Sequence, residues 1–174
     1  MSCIIDAKEG RDVATADIPG AFMQADMGDE IVHMKLEGTM AQLLVKLDPK
    51  LYKKYVRHEN GHPVLYVQLT KALYGTLQAA LLFWKEMVKS LKEWGFEINP
   101  YGWCIANMTI NGKQCTILWH VDDIKVSHVD PKVVTTMLNL FDSRYGKLEP
   151  LSVTRGKLHE YLGMTIDFAR KGKV

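Results

Sequence analysis

The sequence lacks the features of membrane-spanning and disulfide-rich proteins. No apolar run approaches the roughly 18 residues of a transmembrane helix, and the first residues have no signal-peptide pattern. There are only three cysteines, Cys3, Cys104 and Cys115, and their spacing matches no metal site. We therefore expect reduced thiols, an intracellular location and no membrane partner.

An excess of charge of one sign is also lacking. The chain has 22 Lys and Arg against 20 Asp and Glu, a net charge of +2. This balance creates no global positive field, so any nucleic acid must be recognised through local contacts. Hydrophobic residues make up 47% of the 174 positions, which is enough for one domain with a substantial core.

Two strands and two helices are predicted in the first half of the chain. Alternation of side chains between two faces predicts a strand over residues 11–18, and an apolar-rich run predicts another over residues 64–69. Helices are expected to begin at Thr39, as a capping residue, and at Asp48-Pro49, with the second helix covering residues 50–57.

Stronger patterns follow in the second half. Apolar residues recur every three or four positions over residues 77–94, which predicts an amphipathic helix that ends at Gly95. Asn111-Gly112 lies between the apolar segments 103–110 and 114–121. Because both of these turn residues tolerate positive φ, the pattern predicts a β-hairpin.

A second chain reversal is expected near Asp122-Asp123. Residues 124–126 resume an apolar strand, and Asp130-Pro131 then opens a helix that runs to about Tyr145. The last predicted element, residues 157–168, is a strand or a tight hairpin. Two acidic residues therefore occupy an exposed turn between two strands.

Carboxylates at strand ends are the candidate chemical groups. Asp17 ends the first predicted strand, and Asp122 and Asp123 occupy the turn. If these strands are neighbours, the three side chains could hold two divalent cations, which stabilise the charge that develops during nucleotidyl transfer. Mg²⁺ prefers such oxygen ligands. Asp is also a common turn residue, so a solvated turn is the alternative.

Four segments resemble, in the same order, motifs of the reverse transcriptase of copia-type LTR retrotransposons (Pseudoviridae). The resemblance extends along nearly the whole chain and is carried by Asp17-Ile18-Pro19-Gly20-Ala21-Phe22, Lys71-Ala72-Leu73-Tyr74-Gly75 with Gln78, Val121-Asp122-Asp123, and Tyr161-Leu162-Gly163-Met164. It implies an α+β fold with a palm-like antiparallel sheet and helices packed on one face. It also implies part of the fingers at about residues 33–70, with the N-terminal fingers, the thumb and the RNase H domain absent.

The resemblance implies roles for the first and third motifs. Asp17, Asp122 and Asp123 would be the catalytic residues and would bind two Mg²⁺ ions, with Mn²⁺ as an alternative. Gly20 and Ala21 would offer backbone N–H groups to the triphosphate. Phe22 would exclude a 2′-hydroxyl from the incoming sugar; a buried core phenylalanine is the alternative.

The other two motifs imply contacts with nucleic acid. Tyr74, Gly75 and Gln78 would bind the nucleotide and template, although Tyr74 could instead pack against the following helix. The primer grip would be the segment Leu162, Gly163 and Met164, for which a plain β-hairpin is the alternative.

The implied activity is RNA-directed DNA polymerisation. A deoxynucleoside triphosphate would be joined to a primer 3′-hydroxyl on an RNA or DNA template. Expected partners are these nucleic acids and the rest of a Gag-Pol polyprotein, namely fingers, thumb, RNase H and integrase. The expected location is a cytoplasmic particle of the retroelement, with the nucleus as an alternative. Since phosphate neutralisation provides most non-specific affinity, this chain alone is expected to bind template weakly and to have little activity.

Some positions depart from the family pattern. His120 stands where the family has Tyr or Phe, Leu77 replaces a lysine, Ala79-Ala80 replaces Ala-Pro, and one residue is inserted before Trp84. These departures keep open a non-catalytic remnant of a decayed retroelement. A metal-dependent phosphohydrolase would need a His or Glu cluster beside Asp122, and none is evident in the sequence.

Overall fold

A computed structural model describes residues 2–170 and residue 174. The helices in this part of the chain are α1 (Ser2–Glu9), α2 (Thr39–Leu47), α3 (Pro49–Tyr52), α4 (Ala79–Glu93) and α5 (Pro131–Tyr145), with short 3₁₀ helices at Ala21–Gln24 and Lys53–Tyr55. The strands are β1 (Asp12–Asp17), β2 (His33–Glu37), β3 (Arg57–Glu59), β4 (His62–Gln68), β5 (Glu97–Asn99), β6 (Gly102–Ile110), β7 (Lys113–His120), β8 (Asp123–His128), β9 (Ser152–Arg155), β10 (Leu158–Tyr161) and β11 (Met164–Asp167).

A six-stranded antiparallel sheet forms the centre of the molecule, in the order β5-β6-β7-β8-β1-β9. Its middle is built from the hairpin β6–β7 and from β8, which follows after a short turn. Asn111 and Gly112 have φ values of 53° and 71°, so the predicted hairpin and its turn chemistry are confirmed. The strand predicted over residues 11–18 is confirmed as β1, in the interior of this sheet.

The helices α4 and α5 pack on one face of the central sheet. Phe83, Met87 and Leu91 of α4 are buried in the same cluster as Phe141 of α5 and Ile124 of β8. Helix α5 begins and ends where the sequence predicts, and the side chain of Asp130 accepts a hydrogen bond from the backbone N–H of Lys132. The mixed α+β architecture with antiparallel sheets is therefore confirmed.

The opposite face of the central sheet is partly covered by α1 and by the hairpin β10–β11. A second apolar cluster contains Ala7 of α1, Val13 of β1, and Tyr161, Ile166 and Phe168 of the last segment. Side chains alternate between the faces of a strand, so Asp17 shares a face with Val13 rather than with the buried Ala14 and Ala16. The acidic residue therefore lies on the side away from α4 and α5.

Residues 33–68 form a separate three-stranded sheet, β2-β4-β3, with α2 alongside it. The segments that lead into and out of this unit run side by side. Backbone hydrogen bonds of 3.1 Å from Met27 N–H to the Thr70 carbonyl and of 2.9 Å from Leu69 N–H to the Val32 carbonyl connect them. The unit is thus joined to the rest of the molecule through these two adjacent chain segments.

Two expectations about local structure need correction, and one helix was not predicted. Thr39 is the first helical residue of α2, and the capping position is Gly38 at φ 56°, with no side-chain cap bond. The helix expected over residues 50–57 is shorter, since α3 ends at Tyr52 and β3 begins at Arg57 to pair with β4. The sequence patterns also missed α1, whose apolar residues follow no clear helical period.

No helix in residues 2–170 or at residue 174 is long and apolar enough to cross a membrane. The three cysteines are all free thiols. Burial raises the pKa of Cys115 to about 12, so this residue behaves as a small apolar core group.

Candidate active site

The pairing of β1 with β8 brings the predicted acidic residues together. Asp17, the last residue of β1, lies directly opposite Asp123, the first residue of β8. Asp122 lies in the turn that precedes β8, and its carbonyl accepts a 3.0 Å hydrogen bond from the backbone N–H of Ile18. The residues Asp17, Asp122 and Asp123 therefore lie at the same end of the paired strands β1 and β8. We call this group of three residues the acidic corner.

The turn that carries Asp122 has an unusual backbone. His120 of β7 and Asp123 of β8 form the last cross-strand pair, so Val121 and Asp122 make a two-residue connection. Val121 has a φ of 55°, in the left-handed region that a β-branched residue rarely adopts. Such strain is stored at functional turns, at a cost on the order of 1–3 kcal/mol.

Electrostatic repulsion acts between the carboxylates of this corner. Burial raises the pKa of Asp17 above its ordinary value, and the charges of Asp122, Asp123 and Glu149 raise it further. Burial also raises the pKa of Asp123, as does the charge of Asp122, whereas His120 lowers it. A cation near these side chains would relieve the repulsion.

The residue types at this corner fit Mg²⁺, because carboxylate oxygens are the ligands that this ion prefers. Within residues 2–170 and residue 174, however, no three His, Cys, Asp or Glu side chains are already arranged to hold a metal ion. The backbone brings the acidic residues together, and their side chains would have to turn toward a common point to bind an ion.

A cavity of about 400 Å³ lies beside the acidic corner. The residues that line it are Gly20, Ala21, Phe22, Met23, Leu73, Tyr74, His120, Val121 and Asp122. Segments from three of the four motifs therefore meet around one space.

Phe22 has two environments. Its ring is half-buried, with the ring centroid 6.5 Å from that of Phe83 in the core and 5.8 Å from that of Tyr74. The ring thus packs on the core, as expected for a core phenylalanine, and it also lines the cavity. Tyr74 is 85% exposed, so its side chain is not buried against the following helix.

Gly20, which follows Pro19, allows the backbone to pack closely against the Met23 side chain beside the cavity. Gly20 has a φ of 61°, and a Cβ built there would lie 2.8 Å from the Met23 methyl group. Its carbonyl accepts the backbone N–H of Met23 at 2.8 Å, which starts the short 3₁₀ helix. A larger residue at position 20 would strain the backbone and narrow the cavity.

Other predicted site residues lie outside the lining of this cavity. Gly75 is exposed at φ 91°, and the side-chain amide of Gln78 donates to Glu30 at 3.4 Å. The segment Leu162-Gly163 forms the turn between β10 and β11, with both residues at positive φ and with Met164 paired to Tyr161. The segment is therefore the turn of a β-hairpin, and its role as a primer grip remains a prediction.

The sequence patterns missed Glu149 near the acidic corner, and they gave no role to Tyr161 of the last motif. Glu149 lies in the connection between α5 and β9, and no spacing signal relates it to Asp17. Tyr161 is 4% exposed, and its hydroxyl has no hydrogen-bond partner among the described residues. Burial raises the pKa of Tyr161, and the charge of Asp123 raises it further.

Comparison with solved structures identifies the fold. An apo telomerase from Candida tropicalis superposes with a TM-score of 0.51 at 10% identity, over 98% of this chain and 34% of that chain. Telomerase from Candida albicans, in complex with the TWJ fragment of telomeric RNA, gives a TM-score of 0.50 at 9% identity, over 99% and 35% of the two chains. The fold resembles that of telomerase.

Telomerase is a polymerase related to reverse transcriptases, and at these identities the likeness concerns the fold alone. This chain spans about a third of the length of the structures that it matches. No protein-family model matches the chain, and no curated protein matches its sequence. The likeness is therefore not specific to the copia type.

Proposed function

We propose that this chain is the palm region, with part of the fingers at about residues 33–70, of a copia-type RNA-directed DNA polymerase. The observation that carries the proposal is the cross-strand pairing of Asp17 with Asp123, with Asp122 beside them. The four sequence motifs and the telomerase-like fold support the same activity.

Asp17, Asp122 and Asp123 would hold two Mg²⁺ ions. When bound, such ions activate the attacking hydroxyl and neutralise charge on the leaving pyrophosphate. The carboxylates would contribute the negative charge that attracts these ions, with Asp17 and Asp123 on the paired strands β1 and β8 and Asp122 in the adjoining turn. Burial, and after it the repulsion between neighbouring carboxylates, raises the pKa of Asp17 and Asp123, which supports this role.

The cavity beside the acidic corner would receive the deoxynucleoside triphosphate. Gly20 and Ala21 would bring backbone N–H groups close to its phosphates. Phe22 would lie beneath the sugar and exclude a 2′-hydroxyl, and the exposed ring of Tyr74 would contact the base or template. Gly75 and Gln78 would act from outside this cavity, on the template.

The proposed partners follow from this activity. A primed RNA or DNA template would lie across the face that carries Asp17, with the tip Leu162-Gly163-Met164 against the primer. The remaining fingers, the thumb, RNase H and integrase would belong to the same polyprotein. Such an enzyme would act in a cytoplasmic particle or in the nucleus.

Primer extension tests the proposal. A longer polypeptide that includes fingers and thumb should extend a primer on an RNA template with Mg²⁺ and deoxynucleoside triphosphates. The Asp122→Asn/Asp123→Asn double variant should lose activity by at least about a thousandfold, because it removes two proposed metal ligands and keeps side chains of the same size. Asp29→Asn, which changes an exposed carboxylate outside the corner, serves as the control.

Equal extension by the double variant and the parent would remove the catalytic assignment. No extension by the parent, with a folded polypeptide and bound template, would favour the alternative of a non-catalytic remnant. Recovery of primer extension on replacement of His120 by Tyr, the residue type of the family motif, would then show that His120 causes the loss of activity.

A further inference from the structure

A short segment of the three-stranded unit concentrates the positive charge of the chain. Residues 39–58, here called the basic segment, contain five Lys and Arg and one Asp. Their net charge is +4, whereas the rest of the chain has a net charge of −2. The five cations are Lys46, Lys50, Lys53, Lys54 and Arg57.

The cations of the basic segment are exposed and not neutralised. None of the five forms a salt bridge within the part of the chain that the structure describes. In contrast, Lys35, Lys71 and Arg144 each pair with a carboxylate. Clustered cations repel one another, so this arrangement favours binding of a polyanion.

Aromatic side chains lie between these cations. Tyr52 and Tyr55 alternate with lysines in the run from Lys50 to Arg57. Tyr55 is 57% exposed, and the Lys54 ammonium lies 4.9 Å from the centre of its ring. An exposed ring flanked by cations can stack on a nucleobase while the cations contact phosphates.

A cleft of about 680 Å³ adjoins the basic segment. Lys46, Lys53 and His58 line it together with apolar residues, among them Val45 of α2 and Pro63 of β4. This volume lies within the usual range of ligand pockets. The combination of apolar and cationic lining fits an unstacked base with its phosphate.

We propose that the basic segment binds single-stranded nucleic acid. The lysines contact the phosphates, Tyr55 stacks on a base, and the cleft receives a neighbouring nucleotide. This site is separate from the acidic corner, and the inference does not rest on the polymerase activity. An anionic membrane fits less well, because the cations are spread over the short helices α2 and α3 and a 3₁₀ turn rather than along one amphipathic helix.

Fluorescence anisotropy in EDTA tests the proposal with the whole chain. A labelled strand of about 20 nucleotides, longer than a typical single site, is titrated at several salt concentrations. Lys53→Glu/Lys54→Glu should weaken binding at least tenfold and reduce the slope of log affinity against log salt by about 1.4. The matched control is Lys85→Glu/Lys89→Glu on α4, which changes the net charge equally at two exposed lysines.

A second pair of variants tests stacking. Tyr55→Ala should weaken binding on the order of tenfold, in the range expected for one stacked base. Tyr101→Ala removes a tyrosine that is 98% exposed elsewhere and should change binding little. In the wild-type chain, the oligonucleotide should also protect Lys53 and Lys54 from acetylation but leave Lys85 and Lys89 reactive.

Parallel titrations identify the ligand. Single-stranded RNA and DNA share the chemistry of the proposal, and tighter binding of RNA would point to contacts with the 2′-hydroxyl. Equal weakening by the α4 control, equal affinity for duplex DNA, or binding to phosphatidylserine vesicles without binding to oligonucleotides would overturn it. Because EDTA removes divalent ions, these results are independent of the test of the polymerase.

Discussion

Asp17 shows at the scale of one residue how clustered acidic groups oppose stability. Its pKa is raised by burial and by three neighbouring acids, so the folded protein holds a proton on this group more tightly than the unfolded chain does. The ionised group therefore destabilises the fold. This cost is absent below the ordinary aspartate pKa and is fully present above the raised pKa.

Asp17→Asn should accordingly stabilise the protein at neutral pH. We expect the Tm at about pH 7 to rise by a few degrees, because the substitution removes the ionised group that destabilises the fold. At about pH 3, below the ordinary pKa, the wild-type group is protonated and the gain should vanish. Thermal unfolding followed by circular dichroism at both pH values measures this.

The control for this experiment is Asp29→Asn, at an exposed residue outside the corner, which should leave Tm unchanged at both pH values. A gain that persists at about pH 3 would mean that Asn stabilises the corner by hydrogen bonding rather than by removing charge.

At the scale of elements, α1 is attached to the central sheet by buried charges. The Asp6 carboxylate accepts a hydrogen bond from the Lys125 ammonium of β8, and both side chains are almost fully buried. Arg11 lies beside them and bonds to Glu9 at 2.8 Å and to Thr116 at 3.1 Å. Lys125 shares a strand face with Asp123, so α1 braces the strand that carries the acidic corner.

Removing one partner of this pair should destabilise the fold strongly. Asp6→Ala leaves the Lys125 ammonium buried without a counter-charge, at an expected loss of about 3–5 kcal/mol. Urea unfolding, with the midpoint and slope both measured, gives this free energy. The double variant Asp6→Leu/Lys125→Met should recover most of the loss, because no unpaired charge remains.

Glu9→Gln provides the comparison on the same helix. It removes the half-exposed partner of Arg11 and should cost less than about 1 kcal/mol. A small effect of Asp6→Ala would mean that water reaches Lys125 and that α1 contributes little to the sheet.

At the scale of the whole molecule, the two sheets differ in how much core supports them. The main apolar cluster lies between the central sheet and the helices α4 and α5. In the three-stranded unit, the fully buried apolar residues among those described are Ala41, Val64 and Leu65. Regions with few buried apolar contacts open locally at lower free energy.

Backbone amides of the two sheets should therefore differ in their rates of hydrogen exchange. Amides that pair β2 with β4 should exchange at least about tenfold faster than those that pair β1 with β8, under conditions where exchange follows local opening. Native-state exchange read by NMR measures both sets in one sample, so the central sheet is the internal control. Equal protection of the two sets would indicate that both sheets unfold in one cooperative step.

Several elements could be predicted from the sequence because local chemistry determines them. The Asn111-Gly112 turn needs two residues that tolerate positive φ, and the Asp130-Pro131 start of α5 supplies a cap and a fixed φ. The apolar period of α4 was equally informative, and its predicted bounds differ from the observed ones by two residues at most. These signals act over a few positions of the chain.

Other elements gave no such signal. Strand β9 is exposed at all four positions, so no apolar alternation marks it, and it exists because it pairs with β1. Helix α1 depends on the burial of Asp6 against Lys125, which lies far away in the sequence. Glu149 approaches Asp17 only because the connection after α5 returns toward β1.

The sequence by itself determined that Asp17 lies at a strand end and Asp122 in a turn, since period and turn chemistry are local. Asp123, expected in the same turn, is instead the first residue of β8. Only the tertiary structure decided that Asp17 lies opposite Asp123 and on the face away from α4 and α5. The physical reason is that strand register depends on the packing of both faces of the sheet, and a shift of one residue would turn every side chain to the other face.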